Sequence, residues 1–131
     1  MCQLCPCGLN KAAADCCESI ISGNRNATTA EELMRSRYVA FTKADVNYLM
    51  LSHYSKTRPI SEKKSIERWA KSVKWMGLTI LSTSEGKETD NRGMVEFRAL
   101  YVEEGELREI HEKSIFEREG GKWVYTSGIH Y

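Results

Sequence analysis

Apolar residues recur at helical spacing up to about residue 73, and from Trp75 onward they alternate with polar ones. Thr29, with Glu32 three residues on, forms a capping box that opens a first helix. Met34, Tyr38 and Phe41, at i, i+4 and i+7, give that helix one buried stripe. A second helix is expected from about Ala44 to Tyr54, with Val46, Leu49, Met50 and His53 on one face, and Thr57-Arg58-Pro59 ends it. Ser61 can cap a third, whose inward face is Ile66, Trp69, Ala70 and Val73. Leu78 and Ile80 then begin a strand that runs out in the polar Ser82-to-Asn91 stretch. Val95, Phe97, Ala99 and Tyr101 alternate with Glu96, Arg98 and Leu100 in a second strand. Glu103-Glu104-Gly105 is a hairpin turn, Leu107 to Glu117 a third strand, Gly120-Gly121 another turn and Trp123 to Ser127 a fourth strand. Helices first and strands afterwards predict an α+β domain, about three helices packed on an antiparallel sheet of about four strands.

Composition agrees with a folded domain. The chain has 131 residues, 41% of them apolar and 28% charged, which suits one core and argues against disorder. Nineteen basic residues against eighteen acidic ones leave +1, so bulk charge makes nucleic acid the less favoured partner. No long apolar run exists, and Met1 leads into cysteines instead of a leader-like apolar segment, so a cytoplasmic protein with no membrane partner is expected. Lys63, Lys64, Arg68, Lys71 and Lys74 make the third helix basic, while residues 103–119 carry seven acids against three bases. Such polarity could steer a charged partner, RNA included; solvated faces are the plainer account.

The cysteines change the picture most. Cys2, Cys5, Cys7, Cys16 and Cys17 all fall in the first seventeen residues. A disulfide framework spreads its bridges over the fold it staples, and an odd count leaves one thiol over. Two close pairs, Cys5-x-Cys7 and Cys16-Cys17, separated by eight residues can instead wrap four thiolates around one ion. Zn2+ is the expected cofactor, one ion in a closed and therefore structural site; free or redox-active thiols are the other reading. Cys2 is spare, and Lys11 lies in the intervening loop where it could offset thiolate charge.

Cys-Pro-Cys-Gly-Leu-Asn-Lys through Cys16-Cys17 resembles the SEC-C motif, the zinc knuckle known from the tail of the SecA translocation ATPase, with Leu9-Asn10 standing where the motif usually has Ser-Gly. The order of elements after it resembles the nuclear-transport-factor-like (cystatin-like) cone, a curved sheet wrapped around a long helix. Leu33-Met34-Arg35-Ser36-Arg37-Tyr38, Trp75-x-Gly77-Leu78, Val95-x-Phe97-x-Ala99, Glu112-x-Ser114-x-Phe116 and Trp123-x-Tyr125 are similar to the YchJ family of small bacterial proteins. The resemblance implies a knuckle over residues 1–26, a cone over residues 27–131, and no settled activity. The SecA likeness implies a knuckle that presents a surface to a protein or ribosome-associated partner.

A cone of this kind leaves a pocket at its mouth, so the chemistry must be argued from the residues there. On the third strand Ile110, Glu112, Ser114 and Phe116 share a side, and the two apolar members mark it as inward. Inward Glu112 needs a partner, and Arg35 or Arg37 of the first helix could supply it; Arg35, next to Met34, is taken as the better placed. The expected ligand pocket comprises Arg35, Tyr38, Trp69, Phe97, Glu112, Ser114 and Trp123. A structural Arg35–Glu112 ion pair is the bland account. The sharper one is a small hydrolase, isomerase or dehydratase with Glu112 as base and Arg35 holding an anion. His111 falls on the outer face, His53 on an apolar stripe and His130 at the terminus, and no nucleophile–base pairing can be read. The favoured expectation is a binding or adaptor module with a possible small-ligand pocket.

Overall fold

The computed structural model describes residues 5–8, Ala12 and residues 16–131; Cys2 and Lys11 lie outside them. Among the described residues, four α-helices precede four strands: α1 (Cys17–Ile21), α2 (Ala30–Thr42), α3 (Val46–Leu51) and α4 (Lys63–Ser72), then β1 (Lys74–Glu85), β2 (Arg92–Glu103), β3 (Glu106–Glu119) and β4 (Lys122–His130). The strands form one antiparallel meander in the order β1-β2-β3-β4. The α+β reading and the four-strand sheet are as the hydrophobic pattern predicts, with α1 as an additional short helix.

Helix starts follow local chemistry. The Thr29 hydroxyl accepts from the Glu32 amide at 3.1 Å and caps α2. Glu32 reaches back one residue further than a capping box requires and accepts from the Thr28 amide and hydroxyl, both at 2.8 Å. Asp45 caps α3 through the Tyr48 amide. That helix stops at Leu51, because the chain then turns extended against β4: Tyr125 N–H donates to Ser52 O and Tyr54 N–H to Tyr125 O, both at 2.8 Å. Ser61 does not cap α4; a short 3-10 turn over Ile60–Glu62 leads into it.

The strands are longer than expected. β1 continues to Glu85 through Ser82, Thr83 and Ser84, whose polarity suits an exposed edge and carries no alternation. β1 has an extra residue at Met76 and another at Leu81, and β4 has one at Thr126. Such bulges bend a strand and exchange its two faces beyond the extra residue. α2 packs across β1, β2 and β4 on the bent sheet's inner side. Met34, Tyr38 and Val39 of α2, Val95, Phe97 and Ala99 of β2, Phe116 of β3 and Trp123 of β4 belong to one buried cluster. Cys5, Cys7, Cys16, Cys17 and Ile20 belong to the same cluster, so the cysteine segment is built into the domain's core.

Candidate functional site

Two constellations stand on opposite sides of α2. The first is the cysteine cluster. Cys5, Cys7, Cys16 and Cys17 are all buried, and their Sγ atoms lie within 4.8 Å of one another. Cys7 and Cys16 sulfurs are 3.7 Å apart, and those of Cys16 and Cys17 are 3.9 Å apart. None of the four is in a disulfide. A tetrahedron with metal–sulfur bonds of about 2.3 Å has sulfur–sulfur edges of roughly 3.8 Å, so these spacings fit a four-thiolate metal ion. Burial, reinforced by the neighbouring thiols, pushes the Cys16 thiol up to about 11. Hydrogen bonding to Cys7 and burial likewise raise Cys17. Cys16 and Cys17 crowded this way resist ionisation; a divalent cation in the cluster would supply the charge that favours their thiolates.

Two arginines fasten this cluster to the domain through its backbone. Arg35 Nη1 donates to Cys7 O at 2.6 Å while its Nε pairs with Glu31 at 3.0 Å. Arg25 donates to Ser19 Oγ at 2.9 Å and to Cys16 O at 3.4 Å, and pairs with Glu32 at 3.0 Å. Lys43 of α2 pairs with Glu18 of α1 at 2.9 Å.

The second constellation is a cavity of about 160 Å³ inside the cone. Its apolar wall includes Met34, Phe41, Trp69, Trp75 and Phe97, and Arg37, Tyr38, Glu112, Ser114 and Tyr125 also face it. The aromatic rings are edge-packed, with Trp69 and Trp75 centroids 5.4 Å apart and Tyr38 and Trp75 centroids 5.9 Å apart. Glu112, 7% exposed, accepts on Oε2 from Ser114 Oγ at 2.5 Å and from Tyr125 Oη at 3.1 Å. Its Oε1 is 3.3 Å from His130 Nε2. Burial, with the Glu112 charge behind it, raises the Tyr125 hydroxyl above its ordinary range. Gly128 is opposite Ser114 in the register, and a methyl there would overlap the Glu112 carboxylate.

Tyr38, Trp69, Phe97, Glu112 and Ser114 therefore come together, whereas Arg35 and Trp123 do not join them. Arg35 is turned to the cysteine segment, and the expected Arg35–Glu112 pair does not form. Helical arithmetic explains this: Arg35 sits one residue, about 100°, from Met34, while Arg37 sits at i+3, inside the Met34–Tyr38–Phe41 stripe. Trp123 is buried near the start of β4, where Nε1 donates to Thr28 O at 3.1 Å and Arg118 stacks on the ring at 4.4 Å. It lines a separate cleft of about 250 Å³ with Ile20, Ile21 and Leu51.

Arg37, the other candidate partner of Glu112, and Tyr125 line the cavity, and the exposed His130 reaches Glu112 from outside it; the expected pocket left all three out. The signal for Arg37 was its place within the stripe. Tyr125 lies opposite Phe116 on the inward side of β4. His130 had no signal, because the extra residue at Thr126 exchanges the faces of β4 and turns Gly128 and His130 toward Ser114 and Glu112. His111, expected on the outer face, is half-buried there, 2.8 Å from Glu96 and stacked on Tyr131 at 4.6 Å. His53 rests edge-on against Tyr125 at 5.2 Å, and burial together with the Arg37 and Arg58 charges lowers it to about 4.

Comparison with known proteins supplies the family. The profile described as "YchJ, middle NTF2-like domain" matches residues 29–128. A UPF0225 protein of Geobacter sulfurreducens is 42% identical over 128 residues, covering 98% of this chain and 80% of the relative. One from Streptomyces coelicolor is 41% identical over 124 residues, covering 95% and 93%. Among solved structures, a SEC-C motif containing protein of Rhodopseudomonas palustris superposes with a TM-score of 0.88 at 30% identity, over 98% of this chain and 99% of that one. Another from Psychrobacter arcticus gives 0.82 at 28% identity, over 95% and 81%. No helix among the described residues is long and apolar enough to cross a membrane. With a buried four-cysteine cluster fit for a metal ion ahead of a four-stranded cone, the chain belongs to the YchJ (UPF0225) family of SEC-C motif proteins with a nuclear-transport-factor-like domain.

Proposed function

We propose that the protein is a zinc-stabilised binding module of the cytoplasm. Residues 1–26 hold one structural Zn2+ on Cys5, Cys7, Cys16 and Cys17, and residues 27–131 form a cone that takes a small ligand. The knuckle's outer surface is offered to a protein or ribosome-associated partner. The observation that carries this reading is the set of four buried sulfurs at spacings that match a tetrathiolate tetrahedron. Four protein ligands leave no position for water, so the metal supplies folding energy and shape, not hydrolysis. Elemental analysis of reduced protein should find one zinc per chain, lost in a Cys16→Ser, Cys17→Ser variant. Iron in its place, or metal well below one equivalent, would sink the assignment. Ribosome co-sedimentation that is unchanged in that variant would remove the partner role from the knuckle.

A second reading rests on a different observation, the Glu112 carboxylate ringed by Ser114, Tyr125 and His130 at a cavity. It makes Glu112 a general base in a small hydrolase, isomerase or dehydratase. Arg37, and not Arg35, then holds the substrate's anionic end. Turnover of a small metabolite that disappears in a folded Glu112→Gln variant would establish the enzyme over the adaptor.

A further inference from the structure

Arg37 is 8% exposed and stands on the cavity wall. No ion pair among the described residues includes it. Its partners are neutral: Nη1 donates to Leu49 O at 2.9 Å and to Ser52 Oγ at 2.7 Å, and the guanidinium carbon lies 4.8 Å from the centre of the Tyr125 ring. The acid that shares the cavity, Glu112, has its oxygens engaged by Ser114, Tyr125 and His130. The Glu112 charge favours the cation across the cavity but is not in ion-pair contact with it. A buried cation whose bonds go only to dipoles and a ring is costly, and a carboxylate brought to it recovers part of that cost through charge-assisted bonds. Burial holds Arg37 down at about 10, so it is still a cation at neutral pH.

The rest of the wall selects the remainder of the ligand. Met34, Phe41, Trp69, Trp75 and Phe97 offer apolar and aromatic surface. An apolar cavity of roughly 150 Å³ admits benzene, so the 160 Å³ here suits about one ring or a short branched chain. The Glu112 carboxylate in the same small space opposes a second negative charge on the ligand, which disfavours phosphate dianions. Resting on the reading of the cone as a ligand site, we propose that it binds a small organic monocarboxylate with an aromatic or branched apolar body, the acid group paired with Arg37 and the body against Trp69, Trp75 and Phe97.

Three probes of nearly one shape and different charge test this: benzoate, benzamide and benzylamine, titrated into the zinc-loaded full chain by calorimetry and by tryptophan fluorescence. Benzoate should bind at least tenfold tighter than the other two. Arg37→Gln should weaken benzoate tenfold or more and leave benzamide nearly unchanged, and Arg37→Lys should lose less. If neither variant folds, the wild-type order of the three probes still decides. Equal or tighter binding of benzylamine would overturn the carboxylate and leave the cone as a ligand site. Benzoate bound as well by folded Arg37→Gln would overturn the role of Arg37. Binding of none of the three would overturn both this proposal and the ligand reading of the cone, with the zinc site untouched.

Discussion

Arg35→Met separates the knuckle from the cone. In the folded chain the Arg35 guanidinium donates to Cys7 O at 2.6 Å and pairs with Glu31 one turn earlier at 3.0 Å. Its side chain is 13% exposed, so the carbonyl bond is largely shielded from water, whereas Glu31 is more open. A hydrogen bond from a charged donor is worth about 1.5–3 kcal/mol, and a helix-surface i,i+4 pair about 0.3–0.5 kcal/mol. Only the carbonyl bond depends on where Cys7 is held, so it is the part linked to metal binding. Converted at about 1.4 kcal/mol per decade, its loss should weaken zinc retention by roughly tenfold to a hundredfold, the range seen when groups behind metal ligands are removed.

The assay is competition for Zn2+ against a chromophoric chelator of known affinity, run beside thermal unfolding of the loaded protein. Zinc affinity should fall while benzoate binding in the cone stays within about twofold. The cysteines share one buried cluster with α2, so chelation should lower the melting temperature of the whole domain and not merely release a tail. Unchanged zinc affinity in folded Arg35→Met would refute the tether. A loss of cone binding with zinc affinity intact would return Arg35 to the cone and refute the division of α2 into two working sides.

Gly128→Ala should destabilise by about 1–3 kcal/mol, the usual range for an overpacked core, because the added methyl meets the Glu112 carboxylate and the Tyr125 hydroxyl; urea unfolding measures it. A neutral result would mean that β4 moves away from β3 without cost. His53 is held at about 4 when folded and regains an ordinary value when unfolded. The unfolded chain then binds the extra proton first, so stability is full above about pH 6.5 and falls as pH drops toward 4, by on the order of 1 kcal/mol once partial solvent access is allowed for. The urea midpoint should fall between pH 7 and pH 5, and His53→Gln should flatten that slope.

The architecture was legible where one rule governed a stretch of chain. Met34, Tyr38 and Phe41 kept the helical period, Val95 to Tyr101 kept the strand period, and the cysteine spacing marked the four cysteines that cluster, without any tertiary information. Legibility failed where two rules met. The polar Ser82–Ser84 segment is a strand because an edge tolerates polarity on both faces, and no alternation marks it. The extra residue at Thr126 inverts the side-chain parity of β4, and Thr126 Oγ1 seals it by donating to Ile115 O at 3.0 Å. A count of two along the sequence from Tyr125 puts Ser127 and Ile129 inside; the bulge puts Gly128 and His130 there instead. Arg35 was misplaced for a different reason: adjacency to Met34 in sequence is separation on a helix.

The same arithmetic gives α2 its double role. Arg35 and Arg37 are two residues apart, roughly 200° around the helix, so one points away from the other. Arg35 takes the carbonyl of Cys7 in the four-cysteine cluster, while Arg37 reaches the last turn of α3 and the cone wall. Between them Ser36 is fully buried and binds Tyr48 Oη at 2.7 Å and Leu33 O at 2.8 Å, which ties α3 to the same turn. The Arg-Ser-Arg-Tyr run that first suggested the family is therefore a single helical turn with a separate task for each side chain. Arg35 anchors the knuckle, Ser36 docks α3, Arg37 places a buried cation at the cavity, and Tyr38 closes the aromatic wall against Trp75. Replacing either arginine by lysine would keep the charge and lose the planar fork that reaches a backbone carbonyl from a helix side, which is why charge alone does not explain the motif.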